Sequence, residues 1–319
     1  MRRFLCLLLL LLWVFPVCTA WAEGFVVQDD EDTVYDDGLV PVETPVPTGA
    51  AALGLTPLSW DAKSAVCAPH EECYLPDNAG YHDDSIDVRV EKLRAENGTL
   101  VYAMYITLCD VSQFRVGTGA NRAPYSQAVL VSTMSKRFNA VCAINDDYFG
   151  YHSEGIVYRN GKAVRIRPTK ARDALIVDMN GDFHIITSPT MEKWEAYDGT
   201  VLHAFCFGPA LVVDGKLNEA AKDTTLDLGK NKKTQRIAIG QIGPLQYLVL
   251  ATDGPENVAG SGLTIAEMAE LCEQQGMINA YNLDGGSSAT MVLNHKKINA
   301  VGSKKRPVGG CIWFATLVP

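Results

Sequence analysis

The chain has 319 residues, 47% hydrophobic and 20% charged, enough apolar content for one large domain or two small ones with a sizeable core. A formal net charge of −9 and a pI of about 5.2 argue against a nucleic-acid partner, because an acidic surface repels a phosphate backbone. Clustered acids near the N-terminus supply much of that charge, so it says little about the surface of a functional site.

In residues 1–22, Arg2 and Arg3 precede the apolar run "FLCLLLLLLWVFPV", and Ala20-Trp21-Ala22 fits the small-x-small rule for signal cleavage. The run is shorter than the roughly 20 residues a spanning helix needs. Phe15-Pro16-Val17 before Cys18 lacks the small residues of a lipoprotein site, and no other stretch has the length to span a membrane. The reading is a signal peptide, a protein secreted or held extracytoplasmically at the cell envelope, and no stable membrane insertion after cleavage. Residues 23–60 are acidic, Pro-rich and without apolar period, and read as a linker or N-terminal arm. Cation binding by Asp29, Asp30, Glu31 and Asp32 is the alternative to a solvated charge run there. Seven cysteines lie beyond the leader. Cys67 and Cys73 have the spacing to close a small loop, whereas those in runs such as "AVCAIN" and "HAFCFG" suit buried thiols.

After a connecting segment at 61–84, residues 85–319 read as a single α+β domain of mixed, mainly antiparallel sheets with a few helices. "DVRVEKLRAENGTLVYAMYITL" is two strands meeting at the Asn97-Gly98 turn. In "SQAVLVSTMSKRF", Val129, Leu130, Thr133, Met134 and Arg137 recur at helical spacing before the apolar strand "AVCAIN". "RNGK", "DMNGD" and "VDGK" punctuate several short strands, and "LQYLVLAT" is another buried strand. Thr264 and Glu267 form a capping box; Ile265, Met268, Ala269 and Cys272 make one helical face, and Gly276 ends the helix.

Three clusters of chemistry-bearing residues lie at apparent strand ends. Asn145-Asp146-Asp147 comes after "AVCAI", where a cleft would tune a carboxylate and where a plain turn is the competing reading. Asn282-Leu283-Asp284-Gly285-Gly286-Ser287-Ser288 combines a carboxylate with small residues whose N–H groups can form an anion-binding nest, or a tight turn. Arg236 and Arg306 offer planar donor forks suited to phosphate oxygens. GxSxG and a Walker loop are missing, Gly117-Thr118-Gly119 lacks a dinucleotide context, and no cysteine–histidine spacing suggests zinc, so neither cofactor nor metal is expected. Asn97-Gly98-Thr99 fits a glycosylation acceptor.

The order of the blocks "AINDDYFG", "EGIVYRNGK", "RDALIVDMNGD", "FGPALVVDGK", "QRIAIGQIG", "LVLATDG", "GLTIAEMAELCEQQGMINAYNLDGGSSATMV" and "RPVGG" resembles the phosphodiester glycosidase family over about residues 85–318. The resemblance implies hydrolysis of a sugar-1-phosphodiester at the anomeric carbon, giving free sugar and a phosphomonoester. Asn145, Arg236, Asp253-Gly254 and Asn282 through Ser288 match the family pattern. Asp146 stands where a Gly is usual, and Asp147 where relatives carry Gly or Asp. The resemblance therefore implies Asp284 and Asp147 as the carboxylate pair, with Asn145 beside them. Arg236, Arg306, Asp253, Asn282, Gly285, Gly286, Ser287 and Ser288 would bind substrate or phosphate. Anomeric C–O cleavage passes through an oxocarbenium-like state that a carboxylate stabilises, and a phosphate leaving group demands little acid assistance. The partner implied is a sugar-phosphate or glycan. The alternatives are a non-catalytic glycan-binding module, or a metal-dependent phosphodiesterase using Asp146, Asp147 and Asp284.

Overall fold

The computed structural model describes residues 49–119, 127–222 and 232–319; the leader and the residue 29–32 acids lie outside the described residues. Among the described residues, strands form three sheets in which every pairing is antiparallel. The largest runs Gly80–His82, Ile86–Arg94, Leu100–Leu108, Gln246–Thr252, Ile237–Gly243, Asn279–Asn282, Ala210–Val213 and Lys216–Leu217 in spatial order. A second runs Lys162–Arg167, Gly155–Arg159, His203–Phe205, Ala174–Val177 and Phe183–Ile186. The third runs Lys296–Lys297, Met291–Leu293, Cys142–Asn145, Gly310–Phe314 and Phe114–Thr118.

The expected turns join these strands. Asn160-Gly161 and Asp214-Gly215 hold both central residues at positive φ (50° and 74°, then 49° and 74°), the twist-matched hairpin geometry that asparagine, aspartate and glycine tolerate. The predicted capping box forms: Thr264 Oγ1 accepts from Glu267 N–H at 3.2 Å, and a Glu267 carboxylate oxygen accepts from Thr264 N–H at 2.7 Å. The resulting helix, Ile265–Gln274, buries Ile265, Met268, Ala269 and Cys272 against Ala238, Leu248, Leu250 and Ala280 of the large sheet. All three sheets contribute to one core, in which Met104 and Val249, Leu175 and Phe205, and Ile144 and Phe314 share a continuous cluster. Each such side chain contributes about 1.5–3 kcal/mol by leaving water.

Three expectations shift. The helix after residue 127 runs only Val131–Phe138, because Val129 pairs as a β-bridge with Val308 and Leu130 caps the helix. Its buried face is Val131, Met134, Ser135 and Phe138, with the Phe138 ring stacked 5.4 Å from Trp313, so Thr133 and Arg137 face outward. Packing also begins earlier than residue 61. Ala50, Leu58 and Ala65 are buried beside this helix, and the buried Arg115 guanidinium donates to the Trp60 and Ala62 carbonyls at 2.9 Å each. Cys67 and Cys73 are not bonded to each other; all seven described cysteines are free thiols. No helix among the described residues is long and apolar enough to cross a membrane.

Candidate active site

Strand Cys142–Asn145 of the third sheet and strand Asn279–Asn282 of the large sheet end in adjacent loops, and Asn145 ties them together. Its amide nitrogen donates to the Asp284 carbonyl at 2.8 Å and to the Asp146 carbonyl at 3.2 Å, while its amide oxygen accepts from Thr290 N–H at 2.9 Å. Fully buried and engaged at both ends of its amide, Asn145 is a clamp that fixes where Asp284 stands. Asn282 does similar work one strand over: its amide donates to the Gly208 carbonyl at 2.9 Å, leaving a buried amide oxygen without a partner.

The carboxylate pair read from the sequence divides into two environments. Asp147 is fully buried; one oxygen accepts from Arg159 at 2.6 Å and the other from Cys206 N–H at 2.8 Å. Arg159 lies between the Phe149 and Phe205 rings, 4.5 and 4.7 Å from their centroids, and also donates to the Ala204 and Tyr158 carbonyls. This buried ion pair braces the second sheet against the third. Each Asp147 oxygen is thus engaged by one internal donor, and the side chain is fully buried.

Asp284 is only partly buried, and its Oδ2 has no hydrogen-bond partner. Burial pushes its pKa up to about 6; the neighbouring Ser288 hydroxyl and then Arg306 pull it down, and Asp147 adds a push upward. The Ser288 hydroxyl faces this carboxylate without full hydrogen-bond geometry. Arg306 is exposed, its guanidinium 5.7 Å from the centroid of the Tyr148 ring. Tyr148 adopts a left-handed backbone (φ 58°), uncommon for an aromatic residue, and stacks on the exposed Tyr151 ring at 4.1 Å. Arg306, Tyr148 and Tyr151 thus form a stack beside Asp284.

The remaining expected ligands separate by position. Arg236 is buried: Nε donates to the Leu263 carbonyl at 3.0 Å and an Nη to the Lys232 carbonyl at 3.1 Å. Its aliphatic stem runs beneath Gly285, where a Cβ would meet the Gln235 carbonyl oxygen at 2.8 Å. It therefore packs under the glycine loop. Gly286 N–H is likewise committed to the Gln235 carbonyl at 2.8 Å, whereas the N–H groups of Gly285 and Ser287 take no partner among the described residues. Asp253 is buried at the end of strand Gln246–Thr252 with Oδ1 unpartnered, and burial raises its pKa.

Two further neighbours, Arg159 and His152, were not among the sequence candidates, and Asp146 entered only as a possible metal ligand. Asp146 is buried, with Oδ2 4.0 Å from Arg159 but without a hydrogen bond; burial and then Asp147 push its pKa upward. Arg159 was hidden inside "YRNGK", where only strand register reveals that it points inward. His152 packs edge-on to Tyr148 at 5.6 Å with Nε2 buried and unpartnered, and burial together with Arg172 depresses its pKa. No three acidic, histidine or cysteine side chains among the described residues converge as metal ligands, so Asp146, Asp147 and Asp284 do not share a centre. The Asn97 amide donates to the Gly262 carbonyl and Glu267, so the glycosylation acceptor is also a structural contact.

The SPbeta prophage-derived uncharacterized protein YomE of Bacillus subtilis (strain 168) is 30% identical over 179 residues, 54% of this chain and 27% of that protein. The mouse N-acetylglucosamine-1-phosphodiester alpha-N-acetylglucosaminidase is 44% identical over 64 residues, 20% of this chain and 12% of the mouse protein. The matched segments thus span about a quarter or less of these relatives' length. The zebrafish N-acetylglucosamine-1-phosphodiester alpha-N-acetylglucosaminidase catalytic domain, auto-inhibited by its pro-peptide, superposes with a TM-score of 0.57 at 19% identity, covering 74% of this chain and 85% of that one, and so shares the fold. The phosphodiester glycosidase model matches residues 138–315, more than half the chain and the stretch that holds both strand ends. This chain belongs to the phosphodiester glycosidase family.

Proposed function

We propose that this protein hydrolyses a sugar-1-phosphodiester at the anomeric carbon, releasing free sugar and a phosphomonoester. The observation that carries the reading is the contrast within the acidic cluster: of Asp146, Asp147 and Asp284, Asp284 is the partly exposed residue, its buried Oδ2 has no hydrogen-bond partner, and a cation stands beside it. Asp284 faces the anomeric carbon and stabilises or traps the oxocarbenium-like state. Arg306, with the open N–H groups of Gly285 and Ser287, holds the phosphate as its charge develops. A phosphate is a weakly basic leaving group, so this scheme needs no second accessible carboxylate, in keeping with the internal engagement of Asp147. Burial, and to a lesser degree the charge of Asp147 behind it, raise the Asp284 pKa to about 6, so that it is mainly ionised at neutral pH. Asn145 and Arg236 position the loop.

The linkage class is that named for the mouse and zebrafish relatives, and the setting inferred from the leader-like residues 1–22 is the cell envelope or extracellular glycans. Product analysis tests the reaction. Incubation with a panel of sugar-1-phosphodiesters should yield reducing sugar and phosphomonoester in equal amounts. Sugar phosphate plus free alcohol would place cleavage at the P–O bond and replace this reading with a phosphodiesterase.

A further inference from the structure

From Gly285 to Pro319 the chain contains no aspartate or glutamate, yet Lys296, Lys297, Lys304, Lys305 and Arg306 fall in this stretch, in a protein whose formal charge is −9. Arg306 brings one end of this run of cations beside Asp284. Arg306 covers the Tyr148 ring beside Asp284, and Lys304 and Lys305 precede it, exposed and with no ion-pair partner among the described residues. Lys297 fastens the base of the same loop by donating to the Ser303 hydroxyl at 2.8 Å. Lys232 is also exposed, two residues before Thr234, whose hydroxyl lies 3.9 Å from where a Gly286 Cβ would stand. Like charges held close together destabilise a fold slightly. Burial lowers the Lys297 pKa, which Glu256 raises and Lys305 lowers further. One phosphate at the reacting centre requires one or two cations, and Arg306 with the loop N–H groups already supplies that need. The unpaired lysines beyond it have no role in a monomeric substrate.

We propose that this rim binds a polyanion: the substrate is a glycan whose repeating units are joined by phosphodiesters, with phosphates beyond the scissile one running along Lys304, Lys305 and Lys232. This rests on the hydrolase reading for the identity of the chain that is cut, but the rim's affinity for repeated phosphates stands apart from turnover. A repeating anion suits several exposed cations at once, and exposed charges act mainly on encounter and KM, screened over about 8–10 Å at moderate salt.

The test measures binding of long-chain inorganic polyphosphate and of glycerol 3-phosphate to the full chain, as wild type and as the Lys304→Glu/Lys305→Glu variant, over a salt series. Both lysines are exposed, so the variant should keep the wild-type melting curve. Expected is polyphosphate binding that weakens steeply with salt and falls about ten-fold or more in the variant, while glycerol 3-phosphate binding stays within about two-fold. Equal affinity per phosphate for the two probes overturns the proposal, as does an unchanged polyphosphate affinity in the variant. Tight binding to phosphatidylglycerol vesicles without polyphosphate binding would instead assign the rim to a membrane surface. If polyphosphate binds as expected but no sugar-1-phosphodiester is cleaved, the rim stands and the hydrolase reading falls.

Discussion

Asp147 and Asp284 follow strands of two different sheets, in loops of similar composition that Asn145 ties together, yet their carboxylates have opposite environments. Arg159 and the Cys206 N–H hold both Asp147 oxygens from within, whereas Asp284 Oδ2 is buried without a hydrogen-bond partner and an exposed arginine stands beside the carboxylate. A carboxylate locked at both oxygens carries structure, since moving it would strand a buried guanidinium. One lifted in pKa and left partly open is disposed toward chemistry. The two Asn residues that precede these acids, Asn145 and Asn282, both act as clamps, so the difference arises from the partners that reach each carboxylate.

Substituting the two acids should separate these roles. Asp284→Asn is expected to lower turnover of a sugar-1-phosphodiester by about 1,000-fold or more, with melting unchanged or slightly improved above pH 6 because a penalised charge has been removed. Steady-state rates and a thermal melt measured side by side would decide it, and retention of wild-type turnover removes Asp284 from the mechanism. Asp147→Asn should instead cost about 3–5 kcal/mol of stability by leaving Arg159 buried without its counter-charge. Its residual activity would track the folded fraction in denaturant titrations. A stable, inactive Asp147→Asn protein would return Asp147 to the reacting centre.

The cation beside Asp284 offers a finer test. Arg306→Ala should lower kcat/KM about ten- to a hundred-fold, the loss of roughly 1.5–3 kcal/mol of charge-assisted bonding to the phosphate, without a change in melting because the side chain is exposed. Arg306→Lys should recover part of the loss. The same electrostatics set the acid limb of the wild-type profile. Asp284 works as a carboxylate and its pKa is raised to about 6, so kcat/KM should fall as pH drops through that value and reach a plateau above it. A limb near pH 4 would mean that the working carboxylate is not the desolvated one.

Much of the fold was legible because local chemistry and tertiary structure agree. The Asn160-Gly161 and Asp214-Gly215 turns, the Thr264–Glu267 box and the face Ile265–Met268–Ala269–Cys272 need only near neighbours to be read. Helix Val131–Phe138 slipped because the Val129–Val308 bridge links residues far apart in sequence, which periodicity does not register. The site was legible as a set of loops but not as a set of roles. "NDD" and "NLDGG" marked the correct strand ends, while nothing local indicates that Arg159 turns inward to hold Asp147 or that Arg236 runs beneath Gly285. Roles of acids and arginines depend on which partner reaches them first, and those partners come from another sheet.

Asp146 gives the smallest effect and the closest examination of the comparison, because it has neither the complete partners of Asp147 nor the openness of Asp284. Its Oδ2 is buried without a hydrogen bond, against Gly310, where an added Cβ would meet it at 2.3 Å, and burial and Asp147 raise its pKa. A carboxyl group with a raised pKa binds its proton more tightly in the folded than in the unfolded state. Its ionisation therefore opposes folding increasingly as pH rises from the ordinary value of 3.8 toward the raised one, and fully above both. Asp146→Asn, nearly the same shape without the charge, should gain about 1 kcal/mol or more at pH 8 and nothing at pH 3.5, where wild type is already protonated in both states. Urea melts at the two pH values measure the difference directly. A gain equal at both pH values would trace to packing against Gly310, and a loss at pH 8 would show that Arg159, 4.0 Å away, needs the charge of Asp146 as well as that of Asp147.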